Sequence, residues 1–257
     1  MLYQQIGGTI HMEFELSVIK ETMKRASDKC LEGVDISSIN ENDVKVFDYI
    51  NSEGINDTEL LNEIMYWDMA KDITVESMED LIARIVLSRP SLEEKCKEFI
   101  NNKNNPDSIN YGCEELEHIL APTYGCIIYQ EQIIQILTEL AGYSEKQSEL
   151  VRRDMAKKAR KNYESYKNDF VSGNKVGNIP GCVDKRISKE VAEKLYDDMW
   201  KAASYCFNKS HATSYATLAY RIAWLKCYYK DEYMDALEQM KASSESKQEI
   251  HPLGDVK

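Results

Sequence analysis

Glycine and proline are scarce, with 11 and 5 residues in a chain of 257. That composition argues against a turn-rich sheet protein and for long helices. No run of about 18 apolar residues occurs, the length a membrane-crossing helix needs, so no membrane span is expected. The opening MLYQQIGGTIHMEFEL has no basic start followed by an apolar block and does not read as a secretory leader. No cysteines stand in C-x-x-C spacing. The thiols are Cys30, Cys96, Cys113, Cys126, Cys182, Cys206 and Cys227, an odd number widely spread. Reduced thiols in a cytosolic compartment are expected rather than a disulfide framework or a zinc site. Also missing are D-x-D, H-E-x-x-H, a Walker loop and G-x-S-x-G. Asp197 and Asp198 are neighbours on a predicted helix and so point in different directions. His11, His118 and His251 have no ligand-like spacing.

The chain is long enough for one large or two small domains, and its 43% hydrophobic content is ordinary for a globular protein. The net charge of −12 opposes a polyanion over the whole surface. One segment runs the other way. Between Arg152 and Lys161 stand six basic residues (Arg152, Arg153, Lys157, Lys158, Arg160, Lys161) and one acid (Asp154), a local +5.

The periodicity predicts a mainly α protein with a small irregular segment at its N-terminus. Residues 1–75 are acidic and weakly periodic, 76–240 form the helical body, and 241–257 a polar, frayed tail. Asn56-Asp57-Thr58 can cap a helix through Leu60, Leu61, Ile64 and Met65. A second helix covers Ser77 to Ser88 and is ended by Arg89-Pro90. Asn101 to Tyr111 reads as a loop, and Gly125 to Tyr129 as a short extended segment. Ile133, Ile136, Leu137 and Leu140 follow i, i+3, i+4, i+7 in a helix from about Gln130 to Ala141, stopped by Gly142. Ser144 and Gln147 fit a capping box. The helix they open is expected to carry the basic cluster to Lys161, with Arg153, Lys157 and Lys161 on one side. Ser172 to Lys185 reads as a mobile loop. Ser188 caps a helix with Val191, Leu195 and Met199 on one face. Tyr205 to His211 breaks the pattern before a helix through Tyr215, Leu218, Ala219, Ile222 and Leu225, and Asp231 caps a last helix to about Met240.

Arginine forks and lysine ammoniums on the 152–161 segment suit phosphate oxygens. A solvated basic face paired with acids elsewhere accounts for the same spacing. Phe207-Asn208-Lys209-Ser210-His211 places an amide, an ammonium, a hydroxyl and an imidazole at a helix start, where anions are favoured; an ordinary helix cap is the plainer reading. Tyr215, Tyr220, Trp224, Tyr228 and Tyr229 offer faces for stacking on bases, though at helical spacing most belong to a core.

Four ordered blocks carry a resemblance. They are Glu117-His118-Ile119-Leu120 through Thr123-Tyr124-Gly125-Cys126-Ile127-Ile128-Tyr129-Gln130-Glu131-Gln132; Leu140-Ala141-Gly142-Tyr143-Ser144; Leu150-Val151-Arg152-Arg153-Asp154-Met155-Ala156-Lys157-Lys158; and Tyr205-Cys206-Phe207-Asn208-Lys209-Ser210-His211-Ala212 with Ser214-Tyr215-Ala216 and Tyr220. Together they resemble the fingers region of bacterial DNA polymerase III alpha subunits, C-family polymerases of the DnaE type. A weaker match extends to Met78–Ala83 and Ser88-Arg89-Pro90, where Ser91 replaces the family's Gly-Pro. Ala156 replaces a usual glycine.

The resemblance implies a fingers domain that closes over an incoming dNTP. Arg89, Arg152, Arg153, Lys157, Lys209, Ser210 and His211 would line the triphosphate pocket, and Lys158, Arg160 and Lys161 would touch template-primer DNA. Met12-Glu13-Phe14-Glu15-Leu16 resembles a worn palm segment, with Glu13 where a catalytic aspartate would stand. The palm's D-x-D pair is not in this sequence, so no catalytic residue is assigned. Nucleotidyl transfer, and the Mg²⁺ it uses, are expected only with a separate palm-bearing chain or other replisome proteins. The alternative is a non-catalytic DNA- or nucleotide-binding module or regulator derived from such a polymerase. A cytoplasmic protein of a bacterial or phage-infected cell is implied.

Overall fold

A computed structural model describes residues 2–29, 39–52 and 68–248. Among them, eleven α-helices form: α1 (Leu2–Lys29), α2 (Val44–Ser52), α3 (Met78–Leu87), α4 (Glu93–Asn104), α5 (Glu114–Leu120), α6 (Gln130–Ala141), α7 (Glu145–Ala156), α8 (Tyr163–Ser172), α9 (Lys189–Ala202), α10 (Lys209–Tyr228) and α11 (Lys230–Gln248). No β-strand forms among the described residues, only isolated bridges pairing Tyr129 with Phe207 and Asn174 with Ile179. The mainly α class read from the sequence is the class observed. No described helix is long and apolar enough to cross a membrane.

The chain divides into two compact units whose boundaries fall within α3 and α10. One comprises residues 1–66, 74–81 and 214–257. In it α1 packs along α11, burying Val18, Ile19 and Ala26 on one helix and Tyr233, Ala236 and Leu237 on the other. Arg25 of α1 donates to Gln239 and pairs with Asp235 at 3.6 Å. The Tyr220 hydroxyl donates to the Asn40 carbonyl (2.7 Å) and accepts from the Asp43 amide (3.0 Å), fixing the entry to α2.

The other unit, residues 67–73 and 82–213, holds most of the remaining helices. Its centre is α6, whose Ile133, Ile136, Leu137 and Leu140 are wholly buried. Each such side chain contributes on the order of 1.5–3 kcal/mol. Gly142 stops α6 at φ +77°, turning the Gly142 and Tyr143 amides back to the carbonyls of Thr138 and Leu137. Ser144 and Gln147 then close a reciprocal cap on α7. Ser188 accepts from the Val191 amide to start α9. Tyr163 meets Tyr196 and Trp200 edge-on, the latter at 4.9 Å, and Phe170 meets Tyr196 at a tilt, locking α8 to α9.

Several expectations are corrected. Residues 101–104, expected in a loop, complete α4, because the Asn102 side-chain Nδ2 donates to the Tyr124 carbonyl (2.8 Å) and the Asn105 side-chain Nδ2 donates to the Asn101 carbonyl (2.9 Å). Helix α7 ends at Ala156 rather than carrying the basic cluster to Lys161. Lys158 adopts φ +53°, and Asp154 draws the following turn back: its carbonyl accepts from Ala159 and its carboxylate from Asn162 (2.7 Å) and Tyr166 (2.9 Å). No single helical face of cations therefore exists. Helix α11 begins at Lys230, which places Asp231 in its first turn, and continues to Gln248. The proposed helix at 60–65 lies outside the described residues.

The Ser172–Lys185 segment, expected to be a mobile loop, is tied to its surroundings by Cys182 and Val183 amides donating to Phe170 and Val171 carbonyls, and by Gly181 donating to Ala141. Gly173 makes this crossing feasible. It sits at φ +85°, ψ 169°, and a Cβ there would lie 2.2 Å from the Pro180 carbonyl oxygen. Gly173→Ala is expected to lower unfolding free energy by about 2 kcal/mol or more in urea melts; an unchanged midpoint would show that the crossing relaxes freely.

Candidate functional site

Two segments distant in sequence meet in the second unit. The Phe207 amide donates to the Ile128 carbonyl and the Gln130 amide donates to the Phe207 carbonyl, each at 2.9 Å. The Gln130 side chain adds a bond to the Cys206 carbonyl. Gln132 sets the first segment. It is buried, its Oε1 accepts from the amides of Ile128 and Tyr129 at 2.9 Å, and its Nε2 donates to Thr123 Oγ1 at 2.7 Å. All of its polar atoms inside the core are used, which makes it costly to replace.

Cationic side chains gather on this junction. Arg89 follows α3. Its Nη2 donates to the Tyr205 carbonyl (2.8 Å), its Nε to the Val86 carbonyl (3.0 Å), and its guanidinium lies 5.3 Å from the Phe207 ring centroid. Burial lowers its pKa from the usual arginine value, with Cys206 acting against that; it stays charged at neutral pH. Lys209, the first residue of α10, holds its ammonium 5.4 Å from the Tyr129 ring centroid, within cation–π range. The His211 ring stands edge-on to Phe207.

Arg152 approaches from α7. It forms a two-pronged contact with Glu149, Nε to Oε2 and Nη2 to Oε1, both 2.8 Å. Arg153 Nε reaches the same carboxylate at 2.6 Å. The Arg152 side chain is 12% exposed and Arg153 63%, so the first faces the protein and the second solvent. Glu149 is held down to about 2, first by its bond to Arg152 and then by Arg153, against partial desolvation. The Arg152 pKa is raised, first by Glu149 and further by the fields of Glu131 and Cys206. The Cys206 thiol is pushed up to about 12 by burial, while Arg89, Lys95 and Arg152 oppose the rise.

The start of α10 is already capped by protein. The Lys209 amide donates to Glu131 Oε2 (2.9 Å), the Asn208 side chain to Glu131 Oε1 (2.9 Å), and the His211 amide to Asn208 Oδ1 (2.8 Å). What this helix start offers an incoming anion is therefore chiefly the Lys209 side chain, with Ser210 and His211 exposed next to it. A cavity of about 170 Å³ opens beside Lys209, lined also by His118, Gln135, Tyr129 and Glu131.

The remaining nominated residues are dispersed. Lys157, the C-cap of α7, is exposed, as are Arg160 and Lys161 in the turn at 160–162. Lys158 Nζ donates to the Trp200 carbonyl (2.9 Å) and toward that of Lys201 (3.4 Å), neutralising the negative end of α9. Glu13 lies exposed on α1, in the other unit. Sequence reading gave no role to Glu131, Gln132 or Glu149. Glu149 was legible, standing three and four residues before two arginines. Nothing local marks Glu131, whose partners are remote in sequence.

The family described as "Bacterial DNA polymerase III alpha subunit finger domain" matches residues 15–178. The DNA polymerase III subunit alpha of Helicobacter pylori (strain ATCC 700392 / 26695) is 36% identical over 224 residues, which is 86% of this chain and 18% of that protein. Those of Borreliella burgdorferi and Bacillus subtilis (strain 168) are each 32% identical, over 89% and 79% of this chain and 20% and 18% of their own lengths. The chain thus spans about a fifth of the length of these relatives.

Because Glu149 ionises more readily when folded, its contribution to stability is complete above about 4.5 and is lost as pH falls toward 2. The stability difference between the natural chain and Glu149→Gln, from urea melts at stepped pH, is expected to be constant above pH 4.5 and to shrink steadily below it. A difference that ignores pH would mean the two arginines do not hold this carboxylate.

Proposed function

This chain belongs to the bacterial DNA polymerase III alpha subunit finger family, and on that premise we propose that its cationic junction seats the triphosphate of an incoming dNTP beside template-primer DNA. The observation that carries the reading is the placement of Arg89 and Lys209 on the rings of Phe207 and Tyr129, which pair with each other, with Arg152 forked onto Glu149 in the same unit of a chain of net charge −12.

In this reading Arg152 presents a planar fork, pre-set by Glu149, to two phosphate oxygens, and Arg153 adds a second fork from the solvent side. Lys209 supplies a point charge, with Ser210 and His211 next to it. Arg89 reinforces the field from behind Phe207. Such groups act by fixing the β- and γ-phosphates and offsetting charge as the bond to the leaving pyrophosphate lengthens. Arg160, Lys161 and Lys157 reach solvent and suit a DNA backbone, where contacts between exposed charges are screened by salt. Lys158 would have to leave the carbonyls of α9 to join them.

The cavity of about 170 Å³ beside Lys209 is smaller than the ~300 Å³ and upward of a preformed small-molecule site, and neither Arg89 nor Arg152 lines it. In this reading a further surface covers the base and sugar. Among the described residues no three His, Cys, Asp or Glu side chains converge on a metal position. Those residues offer no carboxylate cluster to hold a pair of Mg²⁺ ions. Both needs are met by a palm-bearing polymerase chain that supplies the carboxylates and closes over the nucleotide.

Titration calorimetry with dTTP tests the seat. The natural chain is expected to bind, and Arg152→Ala/Arg153→Ala to bind at least about ten-fold more weakly, roughly 1.4 kcal/mol. Equal affinities, or no binding by the natural chain, would overturn the reading.

A further inference from the structure

We propose that Glu131 is a positioning residue: its carboxylate clamps the Asn208-Lys209 turn to α6 and so aims the Lys209 ammonium at the phosphates. The inference rests on the phosphate-seat reading of the same junction.

A carboxylate near a site for a polyanion is at first sight a liability, because it repels the ligand. The geometry shows what offsets that repulsion. Glu131 stands in the first turn of α6, and each of its oxygens is used. Oε2 accepts the Lys209 amide and Oε1 the Asn208 side-chain amide, both at 2.9 Å. Holding the Asn208 amide nitrogen turns that side chain's other end, Oδ1, onto the His211 amide at 2.8 Å. One carboxylate therefore fixes, directly or through Asn208, two backbone amides at the opening of a 20-residue helix. The Lys209 ammonium can then be held only where its backbone allows, over the Tyr129 ring, and Tyr129 immediately precedes the helix that bears Glu131.

The bridge between Tyr129 and Phe207 joins the two segments just before this clamp. Backbone pairing brings the segments together, and Glu131 sets the direction in which the second one departs. Both oxygens of the carboxylate accept from amide donors of the Asn208-Lys209 turn.

The test uses the full chain, dTTP, and the variants Glu131→Ala, Glu131→Gln and Arg152→Ala/Arg153→Ala, with hydrogen exchange followed at residues 205–213. Glu131→Ala is expected to speed exchange of the Lys209 and His211 amides and to weaken dTTP binding about ten-fold. Glu131→Gln keeps an acceptor for the Lys209 amide and is expected to recover part of the affinity; it also serves if the alanine variant fails to fold. Three results would overturn the inference. One is faster exchange with dTTP affinity unchanged. Another is tighter binding by either variant, which would make Glu131 a competing anion. The third is Glu131→Gln binding no better than Glu131→Ala. If the arginine variant loses dTTP while both Glu131 variants keep it, only this inference fails. If the natural chain does not bind dTTP, the phosphate-seat reading fails and this inference with it.

Discussion

Two hydrogen bonds between the Ile128–Gln130 segment and Phe207 hold together everything that gives this chain a candidate chemistry. Neither segment is a strand of a sheet, and the pairing is a single parallel bridge. It persists because its surroundings over-determine it. Gln132 fixes the amides of Ile128 and Tyr129 from inside the core, Arg89 ties the Tyr205 carbonyl, and Glu131 anchors the residues that follow. Buried polar groups fully satisfied in this way specify one arrangement, because any other leaves several of them unpaired.

The electrostatics follow from that scaffold. The chain is acidic overall, yet at the junction its acids serve the bases. Glu149 orients two arginines, and Glu131 secures the turn that bears Lys209. Each carboxylate reduces the net positive charge but removes freedom from a long side chain. A preorganised cation loses less entropy on meeting phosphate than a free one. Arg152, mostly enclosed and forked onto Glu149, is the clearest case.

Where the sequence was legible, it was so for a physical reason. Helix α6 shows its buried face at helical spacing and its end at Gly142, and α7 its capping box, since each depends only on residues a few positions apart. The extent of the basic helix was not legible. Its end depends on Asp154 recruiting Asn162 and Tyr166, partners beyond the helix itself. Helix α1 was hidden because its buried stripe of Glu15, Val18, Ile19, Thr22 and Ala26 has helical spacing but includes two polar residues, so it does not show as a periodic apolar face. At the site, the cations were named from their clustering and from the family's ordered motifs. The acids that hold them were not, since Glu131 acquires its role only once residues 128–130 and 207 are paired. The N–H groups of α10, weighed as an anion site against the plainer reading of an ordinary cap, are occupied in part by Glu131 and Asn208.

The central claim is that cations on separate segments form one seat. Side-chain nitrogen NMR during a dTTP titration tests it most directly. The account predicts that the Arg89 and Arg152 Nε signals and the Lys209 ammonium signal shift together along one binding curve. Shifts that follow different curves, or a response from the arginines alone, would contradict it.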